Sequence, residues 1–190
     1  PMVVVMTNGN PNCQAAPGEW SAGQYIPSFY GYQGAKPAAT MDESFPDVMN
    51  YVESHYKVVK DKAHRAICGL SMGGGHSFDI SRRFPTKFDY IGLFSAGLHV
   101  GTTGDFRSDF YKQLQGNEEA KTQLATLFKN KPKLYWIGMG KTDFLYKSSA
   151  DLRRYFDEKG YKYTYLETEG GHIWRNWRVY LTEFAQKIFK

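Results

Sequence analysis

Short apolar runs alternate with amphipathic stretches along nearly the whole chain, and few architectures accept that alternation. Runs of strand length occupy residues 2–6, 66–70, 90–95, 133–139 and 161–167, the first four mainly apolar and the fifth an alternation of aromatic and β-branched residues with polar ones. Between them lie helical patterns. Phe45, Val48, Met49, Val52 and Tyr56 share one stripe, opened either by a capping box from Thr40 to Glu43 or by a first turn at Pro46. Residues 72–84 stop at Pro85, and 105–129 hold one or two helices broken near Gly116-Asn117. Residues 147–159 end at Gly160, and 174–189 close the chain. Strand-helix alternation with buried strands predicts an α/β fold, a mostly parallel sheet with helices on both faces. No linker interrupts it, so residues 1–190 read as one domain.

Composition removes several functional classes. No apolar run reaches the eighteen or so residues of a membrane helix. Two cysteines, Cys13 and Cys68, make neither a disulfide scaffold nor a zinc motif. Cys68 reads as an inert thiol in a core strand, with a bridge to Cys13 left open. The formal charge is +5, but the 24 basic residues are dispersed among 19 acidic ones. No basic run forms, so neither nucleic acid nor a membrane surface is an expected partner. The aromatic content of 16% is more telling. Residues 7–37 form a long loop without periodicity, of a length that is usually functional. It carries Trp20, Tyr25, Phe29, Tyr30 and Tyr32, which are placed to wall a pocket or to staple the loop.

In a parallel α/β sheet, chemistry collects on the loops at the carboxyl ends of the strands. The second run ends in Gly69-Leu70-Ser71-Met72-Gly73, with a strand before and a helix after. That is the setting of a nucleophile elbow, where a strained turn exposes a serine at a helix N-terminus. Side chains at the flanking glycines are expected to collide with the neighbouring strand and helix. A serine needs a base and an orienting acid, here expected in the chain order acid then histidine. His172 follows the fifth run at the right end of the sheet. His99 follows the third and is the secondary candidate. His55 and His64 fall at the opposite end, and His76 lies inside the helix after the elbow. Asp143, in Gly140-Lys141-Thr142-Asp143, follows the fourth run and is the candidate acid. Trp20, Tyr25, His99 and Trp174 are candidate substrate contacts, although the i, i+3 pair Trp174 and Trp177 should include one core residue.

Three segments together resemble a known family: Gly69-Leu70-Ser71-Met72-Gly73-Gly74-Gly75-His76-Ser77, Gly140-Lys141-Thr142-Asp143 and Gly170-Gly171-His172. They look like the esterase-D-type α/β-hydrolases, and within these like carbohydrate esterase family one, the feruloyl and acetyl xylan esterases. Thr7-Asn8-Gly9-Asn10 after the first run is similar as well. The resemblance implies an α/β-hydrolase fold, with Ser71 as nucleophile, His172 as general base and acid, Asp143 as orienter and the Met72 N–H as an oxyanion donor. It implies no cofactor, no metal, and a secreted or periplasmic location. The expected substrate is a feruloylated polysaccharide, with acetyl xylan, a siderophore ester, another small ester or acyl transfer as alternatives. A carbohydrate-binding relic without turnover is the alternative of another class. In that family a second oxyanion donor comes from a loop before residues 2–6, and a further strand separates the first two runs. The chain is therefore expected to be the C-terminal portion of a domain whose first strands lie in a preceding segment of the same protein.

Overall fold

The computed structural model describes residues 2–7, 40–101 and 109–190. They belong to two compact units, Pro1–Val59 and Lys60–Lys190.

Among the described residues, the first unit contains one helix, α1 (Met41–His55). Thr40 Oγ1 accepts the Glu43 N–H at 3.3 Å, and Glu43 Oε2 accepts the Thr40 N–H at 3.0 Å. This reciprocal box sets the helix start. Pro46 lies inside α1 rather than at its first turn, where it costs the helix an intrahelical donor. Residues 2–6, expected as a buried strand, are not one. All five are exposed, Met6 at 91%, and residues 3–6 together with α1 line an open groove of about 600 Å³. An apolar run becomes a strand only where a neighbour completes its hydrogen-bond ladder. Among the described residues the sheet draws all its strands from 66–168.

The second unit is that sheet with its helices. β1 (Ala66–Leu70), β2 (Tyr90–Phe94), β3 (Leu134–Gly140) and β4 (Thr164–Thr168) are parallel and adjacent in chain order. Between them run α2 (Met72–Arg83), α3 (Phe110–Gln115), α4 (Glu118–Lys129) and α5 (Tyr146–Lys159), and α6 (Trp174–Ala185) follows β4. The expected break near Gly116-Asn117 is the α3–α4 junction, where Asn117 caps α4 through the Ala120 N–H. Gly160 ends α5 at φ 68°.

Side chains alternate across a strand, so neighbours on β3 report both faces. Tyr135 packs edge-on against Phe156 of α5, at 5.2 Å between ring centroids. Trp136 meets Tyr180 of α6 at 5.7 Å. Helices therefore cover both faces, and every residue of β2 is buried. On the α6 side, Tyr90, Phe94, Trp136, Trp177, Tyr180 and Phe184 form one aromatic core. Cys68 departs from expectation. It is an exposed free thiol on β1.

Candidate active site

The parallel register brings the ends of β1, β3 and β4 to one edge of the sheet, and the sequence places a polar group just beyond each. Ser71 follows β1 directly. Its backbone is at φ 54°, ψ −116°, a left-handed conformation that is unfavourable for any residue with a Cβ. Three bonds hold it there. The Ser71 N–H donates to Phe94 O at 2.8 Å, and Ser71 O accepts from the N–H groups of Gly97 (3.0 Å) and Gly75 (3.2 Å). The turn also depends on close packing. A Cβ on Gly69 would lie 2.3 Å from the Gly73 carbonyl oxygen, and one on Gly74 would lie 2.7 Å from the Ala96 Cβ. Gly73 differs from expectation, because a Cβ there meets nothing within 4 Å. Crowding at the elbow therefore falls on Gly69 and Gly74.

Asp143 lies in the loop between β3 and α5, with its carboxyl fully buried. That loop wraps on the carboxylate: the Leu145 N–H donates to Oδ1 at 2.9 Å, and Asp143's own N–H donates to Gly140 O at 3.1 Å. Burial pushes the carboxyl pKa upward. Hydrogen bonds from His172 and the Leu145 N–H, with the nearby Ser95 hydroxyl and the imidazole charge, outweigh burial and hold it below the ordinary value. The Ser95 hydroxyl is close enough to act on the carboxylate but stands outside hydrogen-bonding geometry.

His172 comes from the loop between β4 and α6. The Asn176 side-chain amide, one turn into α6, donates to Glu169 O and Gly171 O, both at 3.0 Å, and so pins that loop. Gly140 permits the loop's close approach, since a Cβ there would lie 2.3 Å from Gly170 O. With the proton on Nδ1, His172 donates to Asp143 Oδ1 and Oδ2 at 3.1 and 3.0 Å. Nε2 then accepts from Ser71 Oγ at 2.9 Å. A continuous chain runs from hydroxyl to imidazole to carboxylate, its members 101 and 29 residues apart in sequence. Such a chain can draw the hydroxyl proton toward the imidazole and steady the cation that results.

The other predicted residues separate. Met72 is the first residue of α2, so its N–H lies at the positive end of that helix. His99 is half-buried in the loop after β2, while the bond to Ser71 Oγ comes from His172. Trp174 is exposed and Trp177 is core, as the i, i+3 spacing requires. Trp20, Tyr25 and Cys13 lie outside the described residues. Sequence reading missed Ser95, Asn176 and Phe144. Phe144 adjoins the predicted acid and is exposed, with its ring 4.6 Å from that of His172. Proximity to Asp143 was the only available signal for it. Ser95 acts on a residue distant in the chain and Asn176 on backbone carbonyls of the preceding loop, and neither carried one.

Comparison with known proteins agrees with this architecture. Residues 1–188 match the esterase family described as "Putative esterase". An acetyl esterase of Caldicellulosiruptor saccharolyticus is 26% identical over 164 residues, covering 76% of this chain and 61% of that protein. An endo-1,4-beta-xylanase/feruloyl esterase of Xylanibacter ruminicola is 29% identical over 154 residues, 79% of this chain and 17% of that protein. The chain thus spans less than two thirds of either relative. Among solved structures, a ferulic acid esterase of carbohydrate esterase family one from Anaeromyces mucronatus superposes with a TM-score of 0.58 at 22% identity, covering 78% of this chain and 52% of the other. An S-formylglutathione hydrolase from Staphylococcus aureus gives 0.64 at 19%, covering 84% and 67%. Likeness at these identities carries the fold, an α/β-hydrolase, and the match across 1–188 carries the family: this chain belongs to the esterase family.

Proposed function

We propose that the chain carries a serine carboxylesterase in which Ser71 is the nucleophile, His172 the general base and acid, and Asp143 the orienter. The observation that carries this reading is the unbroken hydrogen-bond chain from Ser71 Oγ through His172 to Asp143, mounted on a strained turn. In the first step His172 Nε2 takes the Ser71 proton as Oγ attacks an ester carbonyl. The carbonyl oxygen becomes an oxyanion, and the Met72 N–H at the start of α2 is a donor for it. His172 then returns the proton to the departing alcohol, leaving an acyl-serine. Water, deprotonated by the same imidazole, releases the acid.

The substrate we propose is a feruloyl ester of plant cell-wall polysaccharide, which places the protein outside the cytoplasm, secreted or periplasmic. The feruloyl esterase among its relatives supports this acyl group, and the acetyl esterase supports acetyl xylan as a second reading. Pre-steady-state hydrolysis of a p-nitrophenyl ester tests the chemistry. A burst stoichiometric with enzyme that vanishes in Ser71→Ala is expected, and folded wild-type protein that shows neither burst nor turnover overturns the reading. Methyl ferulate and acetylated xylan, assayed side by side, then separate the two acyl groups.

A further inference from the structure

We propose that Phe144 and Trp174 form a platform for the alcohol half of the ester, selecting leaving groups that present a flat face such as a sugar ring. This rests on the esterase reading above.

Phe144 and Asp143 are neighbours with opposite fates. The bond from the Leu145 N–H to Asp143 Oδ1 turns the carboxylate inward, and the next side chain faces out, 66% exposed. The Phe144 ring lies 4.6 Å from the His172 ring, tilted by 47°. Trp177 meets His172 edge-on at 4.8 Å, and Trp174, 65% exposed, meets Trp177 edge-on at 5.1 Å. The imidazole is therefore flanked by the exposed Phe144 and the buried Trp177, and Trp174, exposed in its turn, lies against Trp177 one ring further out. Large exposed apolar rings next to His172, or one ring removed from it, gain from being covered, and the flat face of a bound ligand would supply that cover.

The proton path decides which half of the ester meets them. The carbonyl carbon must bond to Ser71 Oγ, and its oxygen must point to the start of α2. His172 Nε2, 2.9 Å from Ser71 Oγ, must then deliver its proton to the leaving oxygen, which therefore sits within hydrogen-bond reach of the imidazole. The group carried on that oxygen extends to the imidazole's own neighbours, Phe144 first. The acyl group, held on the serine, extends elsewhere. Flat uncharged rings suit the C–H face of a furanose or pyranose, or an aryl alcohol.

The role is tested with matched esters of one acid: methyl ferulate against feruloyl arabinofuranose, and methyl acetate against acetyl xylose in parallel. Phe144→Ala is expected to lose about tenfold more kcat/KM on the sugar ester than on the methyl ester, with Trp174→Ala shifting the same ratio. The loss should fall on acylation rather than deacylation, because water has replaced the alcohol by then, and Phe144→Tyr should restore the ratio. Equal losses on both esters, or slowed deacylation, would mean that Phe144 merely steadies His172, and would overturn the platform. An unaltered ratio in both alanine variants overturns it as well. If wild type turns over neither ester of either acid and gives no burst, the esterase reading itself falls; turnover without leaving-group dependence removes the platform alone.

Discussion

Asp143 carries a contribution to stability and, in the mechanism proposed above, one to chemistry. Its folded pKa lies below the ordinary value because hydrogen bonds to the carboxylate outweigh its burial. A depressed carboxyl pKa stabilises the fold at every pH above the unfolded value of about 3.9, and that contribution disappears as pH falls through the folded value. Asp143→Asn removes the titration. Urea unfolding between pH 7 and pH 3 should show wild type losing stability below about pH 4, and the variant losing less over the same interval. The amide should also lower kcat by roughly 10³–10⁴-fold, because it no longer fixes the imidazole tautomer or steadies the imidazolium, with KM for a small ester much less affected. Comparable kcat in the two proteins would remove Asp143 from the mechanism. At this scale the sequence was informative where the fold dictates chain order. Ser71, Asp143 and His172 each follow a strand in the expected sequence, and the structure hydrogen-bonds them. Ser95 lies 48 residues from Asp143, and Asn176 reaches back seven and five residues to the carbonyls of Glu169 and Gly171; no sequence pattern marks either.

Turns and loops obey stricter rules than a motif conveys. The pattern Gly-x-Ser-x-Gly is symmetric as written, but the turn it makes is not. A methyl on Gly69 would be driven into backbone, at 2.3 Å from Gly73 O, where neither strand nor helix can yield. One on Gly73 points into open space from within a helix. Gly69→Ala should therefore cost about 1–3 kcal/mol, and Gly73→Ala should be neutral or stabilising by up to about 1 kcal/mol. Thermal melts of the two variants give opposite signs if the asymmetry is real. The loop of His172 has its own fastening in the Asn176 amide, buried and bonded to two carbonyls. Asn176→Ala strands both acceptors at a cost of about 1–3 kcal/mol and frees the loop. A fall in kcat larger than the change in KM is the expected kinetic mark. Strand and helix positions were legible because burial on both faces leaves continuous apolar runs and capping chemistry marks the ends. Residues 2–6 have the same composition and no strand structure, since a ladder partner cannot be seen in an apolar run.

Across the sheet-bearing unit, the three hydrogen-bonded groups proposed to react and the bulk of the packing occupy different places. Ser71, Asp143 and His172 hang from strand ends, while the aromatic core lies along the face that α6 covers. Because α6 starts just after His172, its first turn borders the site and its later turns pack deeper into the core. Phe184, on the last turn, is 1% exposed and meets Phe94 at 5.8 Å and Trp136 at 6.4 Å. Truncating it removes a whole ring from a close-packed face, so Phe184→Ala should cost about 3–5 kcal/mol. For a chain of this size that lowers Tm by on the order of 10 °C. The hydrogen-bond chain at the other end of the helix does not involve Phe184, so each folded molecule should keep its chemistry. A fluorophosphonate that labels Ser71 counts competent sites. Below the melting range, the turnover per labelled site should match wild type within about twofold, while total activity follows the folded fraction. A drop in turnover per labelled site would instead show that α6 transmits core packing to His172, and that the imidazole's position depends on the helix along its whole length.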